Sequence, residues 1–367
     1  MSTLDIPPST STVRIRAIDC RSDQVVDASA FIDPVLPGQA TLNLPTMAFL
    51  VDHPAKRKRV LFDCGGRRDH QMYALGVRQK MDEILIGMKT ERDIDEILLE
   101  AGIPLETVDS MIWSHWHFDH HGAPEKFPPS VEIVVGPRFK ELFMPGFPVR
   151  PDAILADAYF EGREVREVSF DTSLVVGGFP AVDYFGDGSF YLLDSPGHAV
   201  GHMCALARTT PTTFVFLGGD ICHSPGLYRP NTAYHVPAHC ACSHIEVPDA
   251  PLFHLSSTAN TVSLDVKAGQ ESIAKMLQFE ASADVLVCIA HDLALVKMLP
   301  LLNDDPSRDI NDWQVQGYKD KARWFWLSEL PLSDGSPGPA TLPFVDGKYW
   351  RGIKINSWAE PVPESKL

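Results

Sequence analysis

Short apolar runs rich in β-branched residues recur along the chain and predict strands. Each run has about the length of one strand and is followed by a polar or turn-forming residue. The runs are Val13–Ile18, Met47–Val51, Arg59–Phe62, Ser110–Trp113, Val131–Val135, Phe190–Leu193, Met203–Ala207, Thr213–Leu217 and Val285–Ile289. Strands are therefore expected to dominate the first part of the chain and to return in its second half.

Helical periodicity is present in three segments. It is clearest over Arg92–Ala101, where apolar residues recur on one helical face and Gly102 is placed to end the helix. The same period is found over Gln270–Ser282 and over the tryptophan-rich segment Asn311–Leu330. Because helices are interspersed among the strands, the pattern predicts a layered α/β domain and not an all-β one.

Length and local composition predict how the 367 residues are organised. We expect a flexible leader at residues 1–11, one folded domain at residues 12–330, and a C-terminal extension at residues 331–367 that packs on that domain. Residues 65–91 and 223–265 have little strand character and are expected as insertions. Their aromatic and methionine residues suit either a lid over a site or ordinary packing on the domain edge, and both interpretations stay open.

Charge and cysteine usage narrow the class of partner. The 48 acidic residues outnumber the 32 basic ones and give a net charge of −16, so we expect no nucleic-acid partner. No apolar run approaches the ~18 residues that span a bilayer, and we expect no membrane partner. The seven cysteines lie mostly in apolar, strand-like segments, which favours reduced thiols and a cytoplasmic protein.

A dense run of metal-ligating residue types directly follows the predicted strand Ser110–Trp113. It reads His115-x-His117-x-Asp119-His120. Alternate residues of an extended chain share a face, so His115 and His117 are expected to point to one side, while Asp119 and His120 turn to a second position. Imidazole nitrogens and carboxylate oxygens are ligands that zinc prefers. The sequence therefore predicts a metal site here.

Further ligand types occur at the ends of other predicted strands. His198 follows the strand at Phe190–Leu193, Asp220 follows Thr213–Leu217, and His291 follows Val285–Ile289. This repetition predicts a site built along one rim of a sheet. Asp63 also ends a strand, and it is interpreted either as a hydrogen-bond partner of a ligand or as a turn residue.

The ordered ligand set, from Asp63 to His291, resembles that of the metallo-β-lactamase-fold superfamily over about residues 45 to 292. The resemblance implies an α/β fold of the αββα type, with two mixed sheets flanked by helices, inserted lid loops and two Zn²⁺ ions at one edge. It implies that the first ion is held by His115, His117 and His198, the second by Asp119, His120 and His291, and that Asp220 bridges both.

Within the superfamily the chain is most similar to the N-acyl-homoserine-lactone lactonase branch, on the strength of Asp220 and the complete second ligand set. Those lactonases usually carry a tyrosine three residues after the bridging aspartate, whereas this chain has His223. His223 is expected to hydrogen-bond the substrate. The alternative is a structural or surface histidine.

The function implied by this resemblance is a dinuclear zinc hydrolase that opens a small lactone or lactam ring. A metal-bridging hydroxide would attack the carbonyl, and Asp119 would orient it and pass a proton to the leaving group. Two alternatives stay open: a thioester hydrolase of the glyoxalase II or polyketide-thioesterase type, and a mononuclear iron oxidoreductase similar to persulfide dioxygenases. The expected partner is the small-molecule substrate, and a homodimer through the tryptophan-rich segment is left open.

Other residues of ligand type are given less weight. The segment His235-x-x-x-His239-Cys240-x-Cys242-x-His244 lacks a second pair of ligands at the right spacing, so we favour lid packing over an additional metal. His121 is expected to point away from the ligands by alternation. His202 and Cys222 are interpreted as core or pocket-wall residues, and Asp292 as an anchor or a turn residue.

Overall fold

The computed structural model describes residues 4–236, 249–336 and 338–340. The strands are β1 (Arg14–Asp27), β2 (Ile32–Asp33), β3 (Thr41–His53), β4 (Lys58–Phe62), β5 (Leu85–Thr90), β6 (Ser110–Ile112), β7 (Glu132–Val135), β8 (Val165–Glu167), β9 (Val175–Val176), β10 (Phe179–Asp183), β11 (Phe190–Asp194), β12 (Met203–Arg208), β13 (Phe214–Leu217), β14 (His254–Leu255) and β15 (Val285–Cys288). The α-helices are α1 (Leu75–Ile84), α2 (Ile94–Glu100), α3 (Phe139–Phe143), α4 (Val266–Ala281), α5 (Leu293–Met298), α6 (Trp313–Gln316) and α7 (Tyr318–Ala322). Every strand expected from the sequence is present.

Two large sheets carry the fold. The first has the order β5-β1-β3-β4-β6-β7-β8, and the second has the order β15-β13-β12-β11-β10-β9. In the first sheet β5, β1, β3 and β4 pair antiparallel, while β4, β6, β7 and β8 pair parallel. In the second sheet β13 and β15 pair parallel and the other strands antiparallel. Both sheets are mixed, as expected.

The inner faces of the sheets meet in one apolar layer, because alternate residues of each strand point to the same side. Helices cover the outer faces: Ile97 of α2 packs against the first sheet and Met276 of α4 against the second. The expected αββα sandwich is therefore confirmed. Inner-layer residues include Phe49, Phe62, Ile112, Val134, Phe190, Leu192, Val215, Leu217 and Leu286.

Two helices differ from the expected bounds for local reasons. Helix α4 begins at Val266, earlier than expected, because the side chain of Asp265 accepts a hydrogen bond from the backbone N–H of Ala268 and caps the first turn. The single helix expected over Asn311–Leu330 is wrong. Gly317 has a left-handed backbone (φ 68°), which separates α6 from α7 and is followed by a 3-10 turn at Phe325–Glu329.

The insertion at residues 65–91 has more regular structure than its sequence indicates. It forms α1 and β5, and β5 extends the first sheet by pairing with β1. Met81 and Met88 pack with Tyr73 and Phe118 in a small cluster beside the ligand-bearing loop. The Tyr73 hydroxyl donates to the backbone carbonyl of Phe118 at 3.0 Å. The insertion is therefore packed on the sheet edge and supports that loop.

Residues 237–248 fall in the other insertion and lie outside the described residues, and with them His239, Cys240, Cys242 and His244. His235 is exposed, and its Nδ1 lies 3.2 Å from Asp249. Most of the C-terminal extension also lies outside the described residues, so its packing stays a prediction. In the described part of the chain, no helix is long and apolar enough to cross a membrane.

The N-terminal segment contacts the domain where we expect a flexible leader. Leu4 and Ile6 pack against the core of the second sheet. The Ser9 hydroxyl donates to the carbonyl of Asp187 at 2.6 Å, and Arg208 donates to the carbonyl of Pro7. Residues 4–9 thus lie along the second sheet and its β10–β11 turn.

Candidate metal centre

The loop that follows β6 is fixed by the carboxylate at the end of β4. Asp63 is buried and has a left-handed backbone (φ 62°), which directs its side chain toward the neighbouring strand. Its Oδ1 accepts a hydrogen bond from the backbone N–H of Ser114 at 2.7 Å, and its Oδ2 accepts one from the Ser114 hydroxyl at 2.9 Å. The loop therefore leaves β6 in a defined direction.

Three imidazoles and one carboxylate oxygen form a first ligand group. The Nε2 atom of His198 lies 3.1 Å from Nε2 of His115 and 2.9 Å from Nδ1 of His117. The Oδ2 atom of Asp220 lies 3.8 Å from Nε2 of His115 and 3.5 Å from Nε2 of His198. These ligand atoms all lie within 4.8 Å of one another.

A second ligand group contains Asp119, His120 and His291 together with the other oxygen of Asp220. Oδ1 of Asp220 lies 3.1 Å from Nε2 of both His120 and His291. Oδ2 of Asp119 lies 3.4 Å from the same two nitrogens. Asp220 thus gives one oxygen to each group, as the resemblance implies for a bridging ligand.

Burial sets the protonation state of the first group. It lowers the pKa of His117 to about 4 and the pKa of His115 and His198 well below the ordinary value. These rings are therefore neutral at pH 7, and each can offer a nitrogen lone pair to a cation.

In the second ligand group the carboxylates determine the pKa values of the imidazoles. Burial alone would lower the pKa of His120 and His291, but Asp220 and Asp119 raise it in both rings. Burial likewise opposes ionisation of Asp220, yet the facing imidazoles hold its pKa well below the usual range. The carboxylates are therefore ionised and surrounded by imidazoles, which is the charge pattern that a bound cation would replace.

The donor set fits two divalent metal ions. Nε2 of His120 and Oδ1 of Asp220 are buried and 3.1 Å apart, but they are not aligned for a hydrogen bond, and neither has a hydrogen-bond partner among the described residues. Buried polar atoms without partners are rare and costly, and a cation between them satisfies both. The four nitrogen and oxygen atoms of each group match the ligand types and number of a tetrahedral zinc site.

Side chains outside the ligand set hold several ligands in place. His120 Nδ1 donates to Asp63 Oδ2 at 2.9 Å, which leaves Nε2 to face the site, and His291 Nδ1 donates to the carbonyl of Pro45 at 2.8 Å. The backbone N–H of Asp220 donates to Nε2 of His202 at 3.1 Å. Asp63 is therefore a hydrogen-bond partner of a candidate ligand, which is the first of the two interpretations given above. His202 holds the backbone of Asp220, the shared carboxylate.

His223 lies inside the centre and not on the surface. Its Nε2 is 3.0 Å from Oδ2 of Asp220, and its ring is stacked on His291 with centroids 5.4 Å apart. The rings of Phe31 and His223 also pack in a T-shaped arrangement, with centroids 4.7 Å apart. His223 therefore contacts the shared carboxylate directly, while its expected contact with substrate stays a prediction.

The remaining candidates are structural. His121 is fully buried among Tyr73, Trp113 and Tyr159, so it is not in solvent, and it lies in neither ligand group. Asp292 accepts a hydrogen bond from the backbone N–H of Ala294 and caps α5. Cys222 is a buried core residue.

The centre is least buried at His117. Of the seven candidate ligand side chains, His117 is half-buried and the other six are buried. Trp116, next to it in sequence, is also half-buried, and the two ring centroids lie 4.4 Å apart. The candidate ligands are therefore more accessible to solvent at His117 than elsewhere.

Comparison with known proteins agrees with this geometry. The family model of the metallo-beta-lactamase superfamily matches residues 42–214. The metallo-hydrolase mfmC of Annulohypoxylon moriforme is 38% identical over 347 residues, which cover 89% of this chain and 90% of that protein. The chain belongs to the metallo-β-lactamase superfamily. Its predicted superfamily is confirmed, and the lactonase-like branch stays a prediction.

Other members of the superfamily extend the comparison. Gamma-lactamase FDB1 of Fusarium pseudograminearum is 37% identical over 357 residues, covering 90% of this chain and 85% of that protein. The crystal structure of a quorum-quenching N-acyl homoserine lactone hydrolase, at 19% identity, superposes with a TM-score of 0.53 over 80% of this chain and 98% of that one, which shows a shared fold. As a superfamily member with hydrolase relatives across its length, the chain is a metal-dependent hydrolase.

Proposed function

We propose that this hydrolase binds two zinc ions and opens a small lactam or lactone ring. The observation that carries the proposal is the division of Asp220 between two complete ligand groups, one oxygen to each. The similarity to a gamma-lactamase over most of both chains supports a cyclic amide as substrate. The fold shared with a homoserine lactone hydrolase supports a cyclic ester.

When bound, two zinc ions would supply an activated water and polarise the carbonyl of the ring. Side chains of the protein orient the water, transfer the proton and contact the substrate. Asp119 lies at the second ligand group and is the carboxylate to orient the water and to return its proton to the leaving nitrogen or oxygen. His223 lies beside the shared carboxylate and is the side chain to contact the substrate.

The completeness of the second ligand group disfavours the mononuclear iron alternative. A single-iron centre needs only one group, yet Asp119, His120 and His291 are all buried and converge with Asp220. Burying such a group without an ion would leave its polar atoms without partners. The thioester alternative needs nearly the same ligands, so a substrate panel has to separate it from ring opening.

Elemental analysis and a substrate panel test the proposal together. We expect about two zinc ions per chain and turnover of lactams or lactones, with little or no turnover of thioesters. Asp220→Ala is the matched control, since it removes a ligand from both groups, and it should lose zinc and turnover together. One iron ion per chain with oxygen uptake would overturn the proposal, and turnover of thioesters alone would replace its substrate class.

A further inference from the structure

Gln24 contacts the second ligand group from a strand that carries none of the ligands. Its Nε2 donates a hydrogen bond to Oδ2 of Asp119 at 2.6 Å. The side chain is only 3% exposed. The accepting oxygen is the same atom that lies 3.4 Å from His120 and from His291. The amide therefore contacts the oxygen that faces the second ion site.

The fold fixes Gln24 from both sides. In β1 it pairs opposite Leu44 of β3 and opposite Met88 of β5. Since β5 belongs to the insertion at residues 65–91, the insertion covers this part of β1. A residue in the middle of a three-strand ladder has little freedom to move, so the amide is held at a constant distance from the loop that carries Asp119.

An amide donor at this position holds the carboxylate of Asp119 by a hydrogen bond. A carboxylate only accepts hydrogen bonds, so the NH₂ end of Gln24 must face Asp119. Hydrogen bonds to charged groups are roughly twice as strong as neutral ones. The neutral amide can hold the carboxylate without competing for the ion as a lysine or arginine charge would.

We infer that Gln24 is a positioning residue that holds Asp119 toward His120 and His291, so that the second ligand group is assembled before an ion binds. This inference rests on the proposed two-zinc function. It concerns the second ion alone, because Asp119, the ligand that Gln24 hydrogen-bonds, belongs to the second ligand group and not to the first. Removal of the amide should therefore weaken binding of one ion and leave the other unchanged.

Zinc titration of the metal-free protein tests this separation. Gln24→Met keeps the length of the side chain and removes the donor. We expect the affinity for the second zinc ion to fall about tenfold or more, with the first unchanged. The kcat should fall by a similar factor with little change in KM, because substrate contacts remain. Ser22→Ala is the matched control, since Ser22 lies on the same face of β1 and bonds Thr90, away from the ligands.

A double-mutant cycle separates positioning from a general packing role. In an Asp119→Ala background, which removes the accepting oxygen, Gln24→Met should have no further effect on the second zinc affinity. A packing role would instead lower the melting temperature of the metal-free protein and add to the Asp119→Ala effect. If Gln24→Met does not fold, Gln24→Leu takes its place in the cycle.

The results that would overturn the role of Gln24 differ from those that would overturn the proposed function. Unchanged affinity for both zinc ions in Gln24→Met, or fully additive effects in the cycle, would overturn the role of Gln24. Failure of the wild-type protein to hydrolyse any lactam or lactone would overturn the proposed substrate class instead. In that case the zinc affinities of the variants would still decide whether Gln24 positions Asp119.

Discussion

Asp63 accepts a hydrogen bond from Nδ1 of His120 at 2.9 Å and thereby fixes which ring nitrogen faces the second ligand group. The same carboxylate accepts two hydrogen bonds from Ser114 at the start of the ligand-bearing loop. Asp63 therefore couples the path of the loop to the orientation of one of its ligands. Partners of this kind raise the basicity of a metal-bound imidazole and hold its tautomer.

Asp63→Asn should weaken binding of the second zinc ion. The amide keeps one acceptor oxygen but presents an NH₂ group either to Nδ1 of His120 or to the backbone N–H of Ser114, so one of these contacts is lost. We expect a 10- to 100-fold loss of affinity at that site, measured by zinc titration of the metal-free protein. Asp109→Asn, on the surface beside Lys58, is the control. Wild-type affinity in Asp63→Asn would show that His120 is oriented by other contacts.

Asp220→Ala should affect both zinc ions, because its oxygens are divided between the two ligand groups. We expect less than about one zinc ion per chain after dialysis against dilute zinc, and loss of the zinc-dependent rise in melting temperature. The measurement is elemental analysis combined with thermal unfolding. Retention of one tightly held ion in this variant would contradict the assignment of Asp220 to both groups.

Asp119→Asn should reduce turnover far more than substrate binding. The amide cannot accept and return a proton as a carboxylate does, so kcat is expected to fall about 10²- to 10⁴-fold. KM should change by only a few fold. Steady-state kinetics at saturating zinc measure both, with zinc content checked in the same sample. Full turnover with bound zinc would remove Asp119 from its assigned role.

His223→Phe should change selectivity and leave zinc content near the wild-type value. Phenylalanine keeps the stacking against His291 and the contact with Phe31, but it loses the hydrogen bond to Asp220. We expect the ratio of kcat/KM for lactams and lactones to shift, and His223→Tyr to shift it toward lactones. Loss of zinc in His223→Phe would instead make His223 a ligand or an essential support of Asp220.

The sequence predicts the ligands well because each one lies at the end of a short apolar run. His198, Asp220 and His291 all follow strands of the second sheet, where the chain leaves the sheet at one rim. The loop after β6 carries its ligands within a few residues of one another. Local pattern is therefore enough to place these ligands together, and the structure does so.

The supports of the ligands are less visible in the sequence because they act over long separations. Gln24 and Asp119 are 95 residues apart, and no spacing rule connects them. A buried polar residue in a strand is a weak signal here, since Ser22 and Asp23 of β1 are polar and buried as well. Strand β5 was similarly missed, since Gly87 and Lys89 interrupt its apolar pattern and its pairing with β1 stabilises it.

Two features of the sequence bear on the compartment. The cysteines favour a cytoplasmic protein. Residues 365–367 read Ser-Lys-Leu, an order that directs a protein to the peroxisome where it stands at a free C-terminus. The cytoplasmic expectation rests in part on taking this order to be absent, and that part is wrong. The compartment stays a prediction, which microscopy of the chain with and without this tripeptide tests.

Lys319 makes the free energy of unfolding depend on pH, independently of the metal centre. The side chain is 5% exposed, and its ammonium donates to the carbonyls of Glu280, Ser282 and Val285 at 2.6, 2.7 and 2.8 Å. It thereby links α7 to the end of α4. Burial lowers the pKa of Lys319 from 10.5 to about 8.

The sign of the effect follows from proton binding. Between pH 8 and about 10.5 the folded chain has Lys319 mostly neutral while the unfolded chain still has it protonated, so the free energy of unfolding rises with pH over this window. The gain in the free energy of unfolding is at most about 3 kcal/mol.

Urea unfolding of wild type and Lys319→Met at pH 7.5 and pH 10 measures this gain. Tyr73, whose pKa burial raises, acts in the opposite direction but equally in both proteins, so a smaller rise in Lys319→Met isolates the lysine. Equal rises in the two proteins would show that Lys319 keeps its proton in the folded chain.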